Sequence, residues 1–322
     1  AVSFCYEIIF TRMLGHMLGG SVYAFATMLA GFLLGIAIGG WIASRLAVSR
    51  RAAAVGFAYA QSVAAVLTLL TYNLVNQMVT WPWEEFSETS TTTIQVTASI
   101  LGLLPTSICI GLTFPFAIRV YAKDEKEAAR GSALVYFWNV LGGIAGALAT
   151  GILILPTLQY HGAAAFAIFL NIIIGVLSIL VFRIPMGHAV AAVLALLVLA
   201  RGFPATPENV LRVSALDGKL TAGEILFNHV GRSATVTVFD RLGEIRFQTN
   251  GLSESALAPQ GAGDIFRSSG RWLSGLPPLV RPECESMLIV GLGGGVAAAA
   301  VPSSVTSIDV LELEPAVVDA NR

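Results

Sequence analysis

Apolar residues dominate seven stretches of this chain, near residues 1–18, 20–46, 53–78, 94–121, 132–156, 160–183 and 186–201. Each approaches the roughly 20 residues that a helix needs to cross about 30 Å of hydrocarbon, the last being short. The run 94–121 is long and carries Pro105 and Pro115, so a kinked, broken or re-entrant helix is expected there. After residue 201 the pattern changes. Residues 202–218, with Pro204, Pro207 and Glu208, read as a linker. Ala234-Thr-Val-Thr-Val-Phe-Asp240 and Glu244-Ile-Arg-Phe-Gln-Thr249 alternate polar with apolar positions around the turn Arg241-Leu-Gly243, which predicts a hairpin, and Asn250-Gly251 adds a second turn. Residues 263–277, with Ile265, Phe266, Trp272 and Leu273, read as a short amphipathic helix. Met287–Val290 then forms a buried strand, a glycine-rich loop follows, and Ile308–Leu311 forms the next strand. The expected layout is a polytopic α-helical membrane bundle over 1–201, the linker, a β-hairpin unit over 219–280, and over 281–322 the start of a Rossmann-like, methyltransferase-type α/β domain.

Composition agrees with a membrane assignment. Of 322 residues 55% are hydrophobic and 12% charged, with mean hydropathy +0.75, against about 25% charge in a soluble domain. The net charge of −1 provides no basic field for nucleic acid. Cys5, Cys109 and Cys284 lie far apart without metal-ligand spacing and read as small hydrophobes, so no metal is expected. Arg45, Arg50 and Arg51, then Arg119, Lys123, Lys126 and Arg130, then Arg183 mark alternate loops as cytoplasmic. Trp81-Pro-Trp-Glu-Glu-Phe-Ser-Glu88 and Thr157-Leu-Gln-Tyr-His-Gly162 fit the opposite, outer face. Seven crossings therefore put residues 202–322 outside. One crossing fewer, through a re-entrant 94–121 or 186–201, returns them to the cytoplasm. The chain opens inside an apolar run and ends just after a strand, as a piece of a longer chain would.

Gly31, Gly35 and Gly39, and Gly142 and Gly146, recur at four-residue spacing and predict seams where helix backbones approach closely. Glu7 and Arg12 are ionisable groups near membrane depth, each costing about 2.5–3.5 kcal/mol at a helix centre unless paired or wetted. Five residues apart, they face about 140° apart on a helix, so separate partners are expected, with Asn139 and Thr113 as candidates. A polar substrate or proton site between helices is one reading; a structural polar network is the other. Lys123-Asp-Glu-Lys-Glu127 and Arg50-Arg51 read as solvated loops, or as contacts for anionic lipid. His16 and His161 are assigned to outer-face loops, and His229 precedes the hairpin; none has spacing that argues for a ligand set.

The most informative motif is Leu288-Ile-Val-Gly-Leu-Gly-Gly-Gly295, followed by Ile308-Asp-Val-Leu-Glu-Leu-Glu-Pro315. Glycines let the backbone turn tightly against a ligand, and a carboxylate at the end of the next strand, Glu312, has the position that accepts ribose hydroxyls. An ordinary glycine-rich turn with a solvated Glu is the plainer alternative.

Taken together, the hairpin, the Asn-Gly turn, the helix and the two motifs resemble the spermidine synthase (polyamine aminopropyltransferase) family. Tyr6-Glu-Ile-Ile-Phe-Thr-Arg12, Val22-Tyr-Ala-Phe-Ala26, Phe32-Leu-Leu-Gly35 and Trp138-Asn-Val-Leu-Gly142 look like bacterial proteins in which a multi-pass membrane domain is fused to such a synthase-like domain. The resemblance implies a multi-pass protein of the bacterial cytoplasmic (inner) membrane and a cofactor, S-adenosylmethionine or its decarboxylated form, lined by Gly291, Gly293 and Gly295 with Glu312 on the ribose. It also implies aminopropyl transfer to an amine. The chain departs from the family where substrate is held. Gly294 stands where soluble synthases carry an Asp, Glu254 where they carry a Gln, and Ser269-Gly270 near a Tyr-His pair. The acidic loop bearing the family's catalytic Asp would fall beyond Arg322, so no catalytic residue is assigned.

Three functions follow from these observations. The first is a membrane-anchored transferase moving an aminopropyl or other adenosylmethionine-derived group to an amine. The second is a non-catalytic membrane subunit, or homo-oligomer, that uses the synthase-like fold for docking in a larger complex. The third is polyamine transport by the bundle, which rests on Glu7, Arg12 and Asn139 alone and lacks the inverted repeats common in transporters.

Overall fold

In the computed structural model, which describes residues 1–18, 22–81, 91–122, 125–184, 197, 206–215, 220–257 and 265–322, the first six long apolar runs are helical. They form α1 (Val2–Leu18), α2 (Val22–Leu46), α3 (Arg50–Met78), α4 (Thr91–Tyr121), α5 (Glu125–Ala149) and, after a π-helical turn at Thr150–Ile154, α6 (Leu155–Phe182). Four stretches are long and apolar enough to cross a membrane, Phe25–Leu46, Arg50–Met78, Val96–Tyr121 and Ala129–Phe182, so the chain is a membrane protein by length and composition. The seven runs read from the pattern become four by that measure for two reasons. The 17 residues of α1 fall short, and Ala129–Phe182 is one unbroken apolar stretch of 54 residues. That stretch nevertheless reverses. A straight helix from Val135 to Phe182 would hold them about 70 Å apart, yet both line one cavity. The chain turns back at Gln159, whose φ of 56° and ψ of −174° leave the helical region. The seventh run, 186–201, lies outside the described residues apart from position 197.

The expected break in 94–121 does not occur: α4 is a single helix from Thr91 to Tyr121 with Pro105 and Pro115 inside it. Each proline removes one amide and frees a carbonyl a turn earlier. Inside a bundle, neighbouring hydroxyls stabilise such a turn, and here Thr71 of α3 donates to the carbonyl of Gly102, adjacent to the Leu101 carbonyl that Pro105 frees, at 3.2 Å. His16 and His161 are also helical rather than in loops. His16 lies in the last turn of α1, is 1% exposed, and its Nε2 lies 3.3 Å from the Tyr160 hydroxyl.

The glycine seams join particular helices. Gly31, Gly35 and Gly39 of α2 face Ile100, Ser107 and the Ile108–Leu112 backbone of α4, while Gly142 and Gly146 of α5 receive the start of α1 at Ala1. Cys5 of α1 accepts a hydrogen bond from the Thr150 hydroxyl at 2.9 Å, tying α1 to the π-helical turn. Fully buried Tyr6, Phe10, Met13 and Leu14 of α1, with Tyr72 and Tyr160, fill the centre. The ends of α2, α4 and α6 and the starts of α3 and α5 gather at one end of the bundle. There Arg119 Nε donates to the Ala47 carbonyl at 3.3 Å and Arg50 Nε to that of Val120 at 2.8 Å. Ile184 packs near Ala58 of α3. By contrast, Asn209 and Val210 donate their amides to Asn76 Oδ1 near the other end of α3. Ala58 and Asn76 are about 27 Å apart along the helix.

The chain divides into two units at Val210/Leu211, inside the stretch read as a linker. That stretch contains a short helix, α7 (Glu208–Arg212), because the Asn76 side chain satisfies two of its first amides.

In the second unit β1 (Glu224–Val230), β2 (Thr235–Arg241), β3 (Glu244–Thr249) and β4 (Leu252–Leu257) form an antiparallel meander in chain order. Leu242 and Gly243 have φ of 55° and 86°, and Asn250 and Gly251 51° and 80°. Positive φ at both central residues belongs to the hairpin turn that matches strand twist. The Asn250 side chain accepts from the Thr235 amide at 2.8 Å. The expected hairpin is present, and β1 and β4 extend it. The helix α8 (Ile265–Val280) leads to β5 (Ser286–Val290), the four-residue α9 (Val296–Ala299), β6 (Ser307–Leu311) and α10 (Pro315–Ala320). β5 and β6 pair in parallel with Met287 opposite Ile308. Ala316 and Val317 of α10 pack on Val236 of β2.

Glu314 fastens α10 to the β1–β2 loop. Its carboxylate accepts from the Ser233 hydroxyl at 2.7 Å and from the amides of Ser233 and Ala234 at 2.9 and 3.3 Å. Burial pushes this carboxyl up, but the Ser233 hydroxyl and the amides of Ser233, Ala316 and Ala234 outweigh it and hold the pKa below the ordinary carboxylate value. A folded-state pKa below the unfolded one adds stability above the unfolded value, about 4.3, and loses it as pH falls through the folded one. The second unit is therefore expected to loosen at Ser233 and Ala234 below about pH 4.3, and Glu314→Gln to flatten that dependence. Amide hydrogen exchange at pH 3.5 and 6, corrected for intrinsic rates, checks it; equal protection in wild type at both values rules out the linkage.

Candidate glycine-loop site

The loop between β5 and α9 starts where the Gly291 amide bonds the Leu311 carbonyl at 2.8 Å, holding the ends of both strands together. Gly291, Gly293 and Gly295 have φ of 92°, 53° and 74°, a region that a Cβ penalises. A side chain at Gly291 would meet nothing within 4 Å, so the backbone there borders open space. Gly295 is the N-cap residue of α9.

Glu312, immediately after β6, points back at this loop. One carboxylate oxygen accepts from the Leu292 amide at 2.7 Å and the other from the Glu314 amide at 2.9 Å. Charged acceptors at such distances make strong hydrogen bonds, and each oxygen keeps lone-pair capacity for a further donor. Asn321, the residue that caps the end of α10, completes the support by donating to the Gly293 carbonyl at 2.7 Å. The structure thus brings all four sequence-nominated residues together at the carboxyl ends of two parallel strands, where open α/β sheets hold ligands.

Two further residues enter from the meander. A Glu254 oxygen of β4 lies 3.7 Å from where a side chain at Gly293 would begin, placing a second carboxylate beside the loop. Gly294 is buried against Ser255 and Phe247, and a Cβ there would collide with the Ser255 hydroxyl. Ser255 Oγ is itself buried without a hydrogen-bond partner among the described residues. Asn321 and Ser255 carried no sequence signal, since neither belongs to the glycine motif nor to an acidic strand end. His229 sits on β1 opposite Val236 as an ordinary strand residue.

In the bundle, Asn139 and Thr113 share a cavity of about 460 Å³ with Tyr6, Gln61 and Asn171. Glu7 and Arg12 are not among its described walls. Both lie on α1, whose Tyr6 face turns to the cavity instead. Gln61 and Asn171, polar positions inside apolar runs, were the available signal for this cluster. Among the described residues no group of three His, Cys, Asp or Glu side chains could hold a metal.

Comparison with protein-family models, with curated proteins and with solved structures finds no match for this chain.

Proposed function

We propose that the second unit is the cofactor-binding beginning of a Rossmann-like transferase domain, carried on a membrane bundle, that binds an adenosyl sulfonium compound. S-adenosylmethionine and its decarboxylated form are the two cofactors of this kind, and the acceptor is an amine. The observation that carries the reading is the Glu312 carboxylate, anchored by the Leu292 and Glu314 amides beside glycines in positive-φ conformations. That arrangement leaves lone pairs for a vicinal diol and an open backbone edge at Gly291 for the ligand. The strands support it. Leu288, Val290, Ile308 and Leu311 put large apolar groups on both faces of the parallel pair, where they are exposed, the pattern of strands interior to a sheet covered by helices.

A sulfonium cofactor supplies an already activated carbon, and this chain's residues have the simpler tasks of binding and orientation. Glu312 would hold the ribose, the Gly291–Gly295 backbone would approach the ligand closely, and Glu254 would place a negative charge near the cationic end. Equilibrium binding of S-adenosylmethionine and decarboxylated S-adenosylmethionine to the full chain in detergent, with uridine as control, tests the reading. Affinity no better than that for uridine overturns it.

One observation favours a second reading, a docking subunit without catalysis. Gly294 is packed tightly against Ser255 and Phe247, so an acidic side chain cannot be carried at the position where the resembling family holds one. Placement discriminates the two. Arginines cluster at one end of the bundle and Val210 lies at the other, which supports, through the positive-inside rule, a periplasmic exit of the chain after Val210. A compartment-specific reporter fused at Pro207 is expected to report that side. Cytoplasmic activity would invert the topology and bring the domain within reach of cytosolic cofactor.

A further inference from the structure

At the arginine-rich end of the bundle a second cavity, of about 620 Å³, opens between α3, α4, α5 and α6. Its walls combine two kinds of surface. Arg50 at the start of α3 and Arg130 in α5 bring guanidinium groups from separate helices, with Glu127 as the one carboxylate among the described lining residues, while Phe57, Val135 and Phe182 make an apolar wall. We propose that this cavity binds an anionic phospholipid, with its phosphate at Arg50 and Arg130 and its acyl chain along Phe57, Val135 and Phe182. The inference is independent of the transferase reading.

Charge selects the headgroup. Among the described lining residues two arginines and one glutamate give a net charge of +1, which matches the single negative charge of a phosphodiester. Arg50 is oriented in advance, because its Nε donates to the Val120 carbonyl at 2.8 Å, leaving its terminal nitrogens for a fork-shaped contact with phosphate oxygens. Depth and polarity select a lipid over a free ion. The arginines stand at helix ends, where headgroups lie, and Phe57 is two turns further into α3. The neighbouring surface, Leu134, Tyr136, Phe137 and Val181, is apolar and exposed, as a face turned to acyl chains would be. Basic pockets between membrane helices recognise anionic headgroups in this manner.

The test is thermal unfolding of the delipidated full chain, followed by tryptophan fluorescence while phosphatidylglycerol, phosphatidylcholine of the same acyl composition, or inorganic phosphate is titrated. Phosphatidylglycerol is expected to raise the midpoint saturably, with an apparent affinity about tenfold above that of phosphatidylcholine. Arg130→Gln is expected to cut the preference to about twofold, and Arg130→Lys to keep most of it. Equal shifts by the two lipids overturn the proposal. So does an undiminished preference in Arg130→Gln, or a shift with inorganic phosphate alone as large as with phosphatidylglycerol, which would make this a free-anion site. Should Arg130→Gln not fold, native mass spectrometry of the wild-type chain in an equimolar lipid mixture decides: retained phosphatidylglycerol supports the assignment, and retention of both lipids in the input ratio refutes it.

Discussion

Replacing Glu312 with alanine is expected to weaken adenosyl binding about 100-fold or more. Two ribose hydroxyls donating to one carboxylate make two charge-assisted hydrogen bonds, each contributing about 1.5–3 kcal/mol, so losing both exceeds two decades of affinity. The substitution has a second effect, since the Leu292 and Glu314 amides lose their acceptor. These contributions can be separated. Glutamine keeps one acceptor oxygen and offers an amide in place of the other, so Glu312→Gln is expected to keep the Leu292 amide protected from exchange while binding falls about tenfold. Isothermal titration with both cofactors, alongside hydrogen exchange at Leu292, reads the two quantities. If Glu312→Ala binds as the wild type does, the carboxylate has no ribose role and the loop is an ordinary strand-to-helix turn.

Gly39→Leu is expected to abolish folded, monodisperse protein, and Gly39→Ala to lower its thermal midpoint clearly. At this position α2 and α4 meet backbone to backbone. A Cβ on Gly39 would lie 2.9 Å from Gly111 Cα and 2.9 Å from the Leu112 nitrogen, and would overlap the Ile108 carbonyl; a Cβ on Gly111 would meet Ile36 Cα at 2.7 Å. Neither helix can relieve this by rotating a side chain, so the axes must separate and the seam from Gly31 to Gly39 loses contact. Overpacking costs about 1–3 kcal/mol where side chains can yield, and backbone opposite backbone puts this site at or above the upper end. Gly40 is the matched control, because a side chain there meets nothing within 4 Å. Gly40→Ala should leave the midpoint and the gel-filtration profile unchanged. Equal behaviour of Gly39→Ala and Gly40→Ala would remove the seam from the account of bundle stability.

Much of this was legible in the chain because the governing physics is local. A long apolar run becomes a helix in lipid, since only internal hydrogen bonding satisfies its backbone there. Small residues at four-residue spacing share a helix face wherever that face turns. Arg241-Leu-Gly243 and Asn250-Gly251 bend the meander because positive φ is a property of those turns, and Gly291, Gly293 and Gly295 take positive φ for the same reason. The position of Glu312, at the end of the strand after the glycines, follows from the length of one strand-loop-helix unit.

What the sequence could not supply was partnership. Pro105 and Pro115 read as a kink or a break, and α4 is one helix that carries both inside it. His16 read as a loop residue until Tyr160, 144 positions away, came within 3.3 Å of it. Residues 208–212 read as linker until Asn76 bound their amides. Glu314, two positions after Glu312, had no sequence signal for its role, and Ser233 holds it in the second unit's interior. Composition and periodicity alone determined that this chain has a helical membrane part, a β-hairpin and a glycine-loop α/β unit, and the structure extended the hairpin to a four-stranded meander. Tertiary structure decided which glycines touch backbone, which polar groups border a cavity, and where Glu314 is held. Those outcomes depend on atoms brought together across tens to hundreds of residues, and no local pattern encodes such distances.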